Sequence, residues 1–509
     1  GDVYKRQGLF VLFFTEMWER FSYYGMRALL TLFLISTIAE GGWEWTREDA
    51  MHLYGWYTGL VYLTPLIGGM IADRLTGAKK AILLGALIMT LGHASMALEG
   101  VANTFFYIGL ALMILGNGLF KPNISSMVGN LYPDNSPKKD AGYTIFYMGI
   151  NAGAFIGMML CGYIGEKVGW HYGFGLAGVF MFFGMMQFYF GQKIFGITGE
   201  SPAEVKKFQE QKVANHEEEE EIPTPANVVR DRLIVIVVLM LASIVFFLAF
   251  EQAGGSMSIF AKDYTQRVLD GHAATTFKWV DAILTILPIA IVTVVLSALA
   301  KKIYKEYPLT IIFTGISFAI IWALGLWKIW KEFGAEQTEV AASWFQILNS
   351  LFIITLASSF GKFWEKVWNP SGPIKFALGL LLVGLGFAIL AYGSMSIPQG
   401  AKTASVSMLW LIVAYFFHTS GELCLSPVGL SYVSKLSPKK LLGLLFGCWF
   451  GASAIANFIA GLLGSTIDKI TAEYSMSFFF MIFAIVPAIT ALILVLLNPM
   501  LKRMMHGIN

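Results

Sequence analysis

Apolar runs about as long as a bilayer is thick recur from one end of this chain to the other, and no other feature restricts its fold as strongly. A spanning helix takes about 20 mostly apolar residues. Fourteen such segments can be read in the 509 residues. Six lie at 9–38, 51–72, 81–98, 104–128, 141–166 and 172–195. A polar stretch at 196–231 follows, then eight more at 233–261, 276–300, 308–330, 343–366, 373–392, 406–434, 441–467 and 475–497. Hydrophobic residues make up 56% of the chain and charged ones 14%, with mean hydropathy +0.64. Soluble domains carry about 25% charged residues, so this chain has too little charge to cover a soluble surface. The expected fold class is an all-α polytopic membrane protein. A net charge of +3 is too mild to point to nucleic acid.

Lys and Arg concentrate in cytoplasmic loops. With the N-terminus in the cytoplasm, the even-numbered loops are the basic ones, holding for example Arg74, Lys79, Lys80, Lys301 and Lys302. The first outer loop, 39–50, is acidic. An odd number of segments in either half would break this pattern, which supports six plus eight with both termini cytoplasmic. No Ala-x-Ala-like cleavage site follows the first run, so it is expected to stay as a helix. Cys161, Cys424 and Cys448 all fall in apolar runs and give neither a disulfide framework nor a metal spacing. In the central stretch, Ser201-Pro202-Ala203-Glu204 has capping-box form with Pro at the first helical position. A short surface helix to about residue 215 is expected there. Glu217 to Glu221 with Pro223 and Pro225 then read as a solvated tether rather than an acidic docking motif.

A charge at the centre of a spanning helix costs about 2.5–3.5 kcal/mol on insertion scales, so each one should face a partner or a watery cavity. At about 100° per residue, Glu16, Arg20, Tyr23 and Arg27 lie on one stripe of the first helix, flanked by Glu19 and Tyr24. Lys121 in the fourth helix has no local partner in sequence, and Glu251 and Glu422 are acids at membrane depth in the second half. Cations of the first half set against anions of the second would suit a zwitterion. His93 and His418 read as packing residues. Gly-rich helices such as 149–165 read as close-packing surfaces. No Gly-Lys-Ser/Thr phosphate loop, metalloprotease spacing or Gly-x-Ser-x-Gly elbow is present in the sequence, which argues against ATP as the energy source and against an enzyme.

These residues resemble the proton-dependent oligopeptide transporter (POT/PTR) family of the major facilitator superfamily. The Glu-x-x-Glu-Arg-Phe motif stands as Glu16, Glu19, Arg20 and Phe21. Residues 69–80 resemble the superfamily's cytoplasmic signature, 146–154 the family signature of helix five, and Gly421, Glu422 and Ser426 to Ser431 its tenth helix. The resemblance implies two six-helix bundles with an extra two-helix hairpin, in a bacterial cytoplasmic (inner) membrane. The implied organisation is a first bundle at 8–196, a cytoplasmic linker at 197–232, the first helix of the second bundle at 233–262, the hairpin at 275–331, and the rest of that bundle at 342–500. It implies import of di- and tripeptides with protons and without a cofactor or metal. Arg27 and Lys121 would then receive the peptide carboxylate, and Glu422 with Asn349 the amino terminus. Tyr23, Tyr24, Tyr62, Tyr147, Asn151, Phe247 and Ser426 would line the pocket. Glu16, Glu19, Arg20 and Glu251 would couple protons, and Arg27–Glu251 and Lys121–Glu422 would be gating ion pairs.

Three departures stand out. Phe247 occupies a position where the family often has Trp, Asn349-Ser350 replaces Asn-Pro, and the two extra apolar segments follow helix seven rather than precede it. The alternative is a proton-coupled carrier of nitrate or another small solute on the same fold. Glu16, Glu19 and Glu422 disfavour it, because an anion needs no acceptor for an amino terminus.

Overall fold

The computed structural model describes residues 2–132, 137–210, 224–438 and 441–508; the tether expected at Glu217 to Glu221 and Pro223 lies outside them. The chain is built from helices: α1 (Asp2–Ile35), α2 (Arg47–Ile71), α3 (Gly77–Ala97), α4 (Asn103–Asn130), α5 (Pro137–Lys167), α6 (Trp170–Gly191) and the short α7 (Pro202–Glu210). After these come α8 (Ala226–Phe250), α9 (Ser256–Asp263), α10 (Gly271–Ile303), α11 (Pro308–Gly334), α12 (Ile347–Lys366), α13 (Gly372–Gly393) and α14 (Leu409–Leu436). The chain ends in α15 (Leu442–Gly464), α16 (Ile467–Glu473) and α17 (Met476–Met504). Two short strands, β1 (Val268–Leu269) and β2 (Thr338–Glu339), pair antiparallel.

Twelve runs among the described residues are long and apolar enough to cross a membrane. The difference from fourteen arises in two places. Arg47–Ala97 is one run of 51 residues, about twice a spanning length, because a π-helical turn, Ala72–Thr76, joins α2 to α3 without a break. Helix α1 carries Glu16, Glu19, Arg20 and Arg27 and is too charged along its length to count as apolar.

The chain divides into two compact units. The first comprises residues 1–44, 64–212 and 267–350, and the second 45–63, 213–266 and 351–509. Within the first, α1 packs on α5 and α6, α3 on α4 and α6, and the α10–α11 hairpin on α5 and α6. Within the second, α13 packs on α14 and α17, and α8 on α15 and α17.

Lipid tails give helices no hydrophobic reason to associate, so small residues that allow close backbone approach matter more. The glycines of α5 do this against α1: a Cβ on Gly153 would meet the Met17 carbonyl and one on Gly157 the Phe21 carbonyl. Between α3 and α4, a Cβ on Gly85 would sit 2.7 Å from the Gly116 carbonyl oxygen. The Gly-rich stretch is a packing surface, as its spacing suggests.

The capping box at Ser201 forms. The Ser201 amide and hydroxyl donate to the Glu204 carboxylate at 3.1 and 2.5 Å. Those two bonds, helped by Lys80 at 3.2 Å, lower the Glu204 pKa from 4.5 to about 2. Lys79 donates to the Glu200 carboxylate at 2.8 Å and to the Gly196 carbonyl, which ties the segment leading into α7 to the start of α3.

Candidate substrate and proton site

On α1, the 3.6-residue period brings the stripe together as expected. The Arg20 guanidinium donates to both oxygens of Glu19, one of them at 2.7 Å, and its Nε lies 3.4 Å from Glu16. All three side chains are buried. The Arg20 guanidinium carbon also stands 5.0 Å from the Tyr23 ring centre and 5.6 Å from that of Tyr24. Arg27 lies 5.7 Å from the same Tyr24 ring. Stacking a cation on an aromatic face adds about 0.5–2 kcal/mol where water is excluded.

Neighbouring helices finish the cluster. Asn117 on α4 donates to Glu19 at 3.0 Å, and Lys121 on the same helix, half-buried, acts electrostatically on Glu16. One oxygen of Glu16 is buried with no hydrogen-bond partner among the described residues. Asn151 on α5 is buried and donates to the Tyr147 carbonyl one turn back, at 3.0 Å; Tyr147 itself is exposed. Asn349 is half-buried at the start of α12.

In the second unit, α8 ends at Phe250 and Glu251 opens a tight 3₁₀ turn, Glu251–Gly254. Glu251 is buried, and Tyr54 donates to its carbonyl at 3.2 Å. Gln252 donates to the Ala460 carbonyl at 2.9 Å, which fixes this turn against α15. Phe247 is half-buried with its ring centre 6.0 Å from that of Phe250. Tyr62 on α2, and Glu422 and Ser426 on α14, are half-buried. The Ser426 hydroxyl has no hydrogen-bond partner among the described residues. His93 and His418 are buried in helix packing, His418 4.3 Å from the Phe387 ring centre. Neither imidazole makes a hydrogen bond among the described residues, so they pack without the polar partner usual for such residues.

Several contributors are invisible in the sequence pattern. Trp18 donates to Gln187 at 3.0 Å and so orients α1 on α6. Glu166, at the end of α5, accepts from the backbone amides of Ala342 and Ser343 at 2.8 and 2.7 Å. This carboxylate caps the 3₁₀ turn Ala342–Gln346 that leads into α12. Arg47, which sequence places in an acidic loop, is a hub of the second unit: it reaches Asp263 at 2.7 Å and Asp468 and the Tyr264 hydroxyl at 2.8 Å. Helix packing creates these contacts between segments far apart in the chain, which no local spacing announces.

A helical chain of many apolar runs, with an ion cluster buried on one of its long helices, has the build of a membrane transporter. The POT family matches residues 79–214 and 328–480, and the chain belongs to that family. The uncharacterized transporter YclF of Bacillus subtilis (strain 168) is 34% identical over 99% of this chain and 95% of its own length. The di-/tripeptide transporter of Lactococcus lactis subsp. cremoris is 31% identical over 88% and 87%. A crystal structure of a peptide transporter POT in complex with sulfate superposes with a TM-score of 0.74 at 30% identity, covering 98% of this chain and 96% of that one. The fold is that of the POT transporters, within the major facilitator superfamily.

Proposed function

We propose that this chain is a proton-coupled symporter that imports di- and tripeptides by alternating access. The observation that carries the reading is the α1 face. Two buried carboxylates share the Arg20 guanidinium, with Tyr23, Tyr24 and Arg27 continuing along the same stripe. The similarity to a di-/tripeptide transporter over most of both chains supports the substrate class.

A peptide is costly to move through a membrane because both its ends are charged, and each needs a replacement for lost water. Arg27 and Lys121 take the carboxylate. Glu422 with Asn349 takes the ammonium, while Tyr23, Tyr24, Tyr62, Tyr147, Asn151, Phe247 and Ser426 shape the space between. Arg27 with Glu251, and Lys121 with Glu422, act as gating pairs. A proton on Glu251 releases Arg27, and Glu16 and Glu19 beside Arg20 are the other proton carriers. The membrane potential supplies about 2.3 kcal/mol per charge per 100 mV, so no cofactor and no covalent chemistry is required. The bundles run over 8–196 and over 233–262 with 342–500, the α10–α11 hairpin is accessory to them, and both termini face the cytoplasm of a bacterial inner membrane.

The test is uptake of labelled dialanine into liposomes with and without an inward proton gradient, with N-acetyl-dialanine and nitrate as competitors. Accumulation should need the gradient, and free dialanine should compete far better than either. Gradient-independent accumulation would overturn proton coupling. Equal competition by the acetylated peptide would remove Glu422 from the amino-terminus role, and strong competition by nitrate would replace the substrate class.

A further inference from the structure

The first unit carries a groove of about 750 Å³ alongside α6, away from the α1 charge cluster. Ala97, Ile164, Gly175, Leu176, Leu324 and Trp327 contribute to its wall. Its volume lies within the roughly 300–1,000 Å³ of ordinary ligand sites, and its wall is almost wholly apolar. A dipeptide or a free anion has no polar partner along such a wall. A hydrocarbon chain needs none.

Charge gathers at one end. Lys331 stands one turn beyond Trp327 on α11, with its Nζ 5.1 Å from the indole centre and 6.0 Å from the Tyr163 ring. The other charges around it are spoken for. Lys328 pairs with Asp281 at 2.6 Å. Glu332 accepts from the Tyr163 hydroxyl at 2.5 Å. Glu339 is held by Lys167 and Arg267 at 3.3 and 3.2 Å. Lys331 has no carboxylate within ion-pair distance among the described residues. His171 lines the same end, its ring 4.1 Å from that of Tyr172. Tyr172 and Trp330 are exposed there, as aromatic residues at headgroup level are.

We propose that this groove seats one acyl chain of an anionic phospholipid, with the headgroup phosphate held by Lys331 at the aromatic rim. The apolar wall takes the chain and the unspent ammonium selects the charge. Choline or ethanolamine would bring a second cation toward Lys331 and weaken the match.

Native mass spectrometry of the intact purified chain, titrated with phosphatidylglycerol or with phosphatidylcholine of the same acyl chains, tests this directly. One basic residue near the headgroup implies a preference of about fivefold for phosphatidylglycerol. Lys331→Gln should erase that preference and leave phosphatidylcholine binding unchanged. Gly175→Leu fills the groove: a Cβ there meets only the Ala97 Cβ, at 3.5 Å, so the helices keep their places, and binding of both lipids should fall with the thermal midpoint retained. No preference in the wild type, or a preference that survives Lys331→Gln, would overturn the headgroup assignment. Unchanged binding of both lipids by Gly175→Leu would show that lipid coats the surface without using the groove.

Discussion

The Asp281–Lys328 pair on the α10–α11 hairpin and the Glu16–Glu19–Arg20 cluster on α1 are both buried in the first unit, and only the pair is closed. Lys328 donates to Asp281 at 2.6 Å and to Thr285 at 3.3 Å, while the second Asp281 oxygen accepts from Trp344 at 3.2 Å. One cation meets one anion, and each carboxylate oxygen has a donor. On α1, two carboxylates share the Arg20 guanidinium, and a Glu16 oxygen is buried without a hydrogen bond among the described residues. A buried polar atom left unpaired costs about 1–3 kcal/mol. Selection for stability alone would remove that cost, so the open cluster is the one expected to exchange partners with a proton, and the closed pair is expected to hold helices together.

The largest effect should come from the open cluster. Glu16→Gln and Glu19→Gln should each lose proton-driven accumulation of dialanine. Exchange of internal for external peptide should survive better, because exchange never returns an empty, deprotonated carrier. Both assays must use the same reconstituted protein. If both variants accumulate peptide normally, the cluster is structural and the contrast with the hairpin disappears. Equal loss of accumulation and exchange would say the same.

The closed pair should show the opposite profile. Asp281→Leu leaves the Lys328 ammonium buried without its anion, and breaking such a pair costs about 3–5 kcal/mol. Thermal unfolding in detergent should register that loss. The double variant Asp281→Leu with Lys328→Leu should recover most of it, because apolar replacements for a buried pair are often neutral. Accumulation per folded molecule should match the wild type in the double variant. A folded double variant that cannot accumulate peptide would mean that the hairpin pair also works in transport.

How much of this was legible in the sequence follows from where each contact lies. The α1 stripe and the Ser201 capping box are local, set by spacings of three and four residues, and both form as read. The apolar runs are local as well, and they give the helical membrane fold. Asn117 on Glu19, Gln187 on Trp18 and Glu166 on the amides of Ala342 and Ser343 depend on which helices touch. The Asp281–Lys328 pair is hidden from sequence for a related reason. Each residue alone is a charge near a helix end, and only the antiparallel packing of α10 and α11 brings them together across 47 positions. The residues proposed for the peptide's two ends carry the same difficulty: sequence gives their residue types and not their neighbours.

A smaller effect should follow from disturbing the surface that holds α1. Gly153→Ala drives a methyl against the Met17 carbonyl, next to Glu16. Overpacking of this kind costs about 1–3 kcal/mol. The expected outcome is a lower thermal midpoint together with a partial loss of accumulation, since α1 must shift to make room. Gly175, where a Cβ finds only ordinary contact at 3.5 Å, is the matched control. Equal accumulation by Gly153→Ala and Gly175→Ala would show that the α1 cluster tolerates displacement and that close packing does not set its geometry.

The smallest effect belongs to a third arrangement that separates closure from burial. The Glu204 carboxylate is fully engaged by Ser201 and Lys80, yet Glu204 and Lys80 are 45% and 57% exposed. Exposed pairs are screened by water and contribute little. The Glu204 pKa falls from 4.5 to about 2 on forming these bonds. A depressed carboxylate pKa means that the folded arrangement gains from ionisation, so its contribution is complete above the ordinary value of 4.5 and fades as pH falls toward 2. Amide exchange in α7, corrected for the intrinsic pH dependence of exchange, should therefore hold constant from pH 8 to 5 and quicken below that. Glu204→Gln should reproduce the acid behaviour at neutral pH, with the α1 amides and dialanine accumulation untouched. If the substitution instead lowers accumulation as strongly as Glu19→Gln, then burial is not what separates working charge from structural charge in this chain.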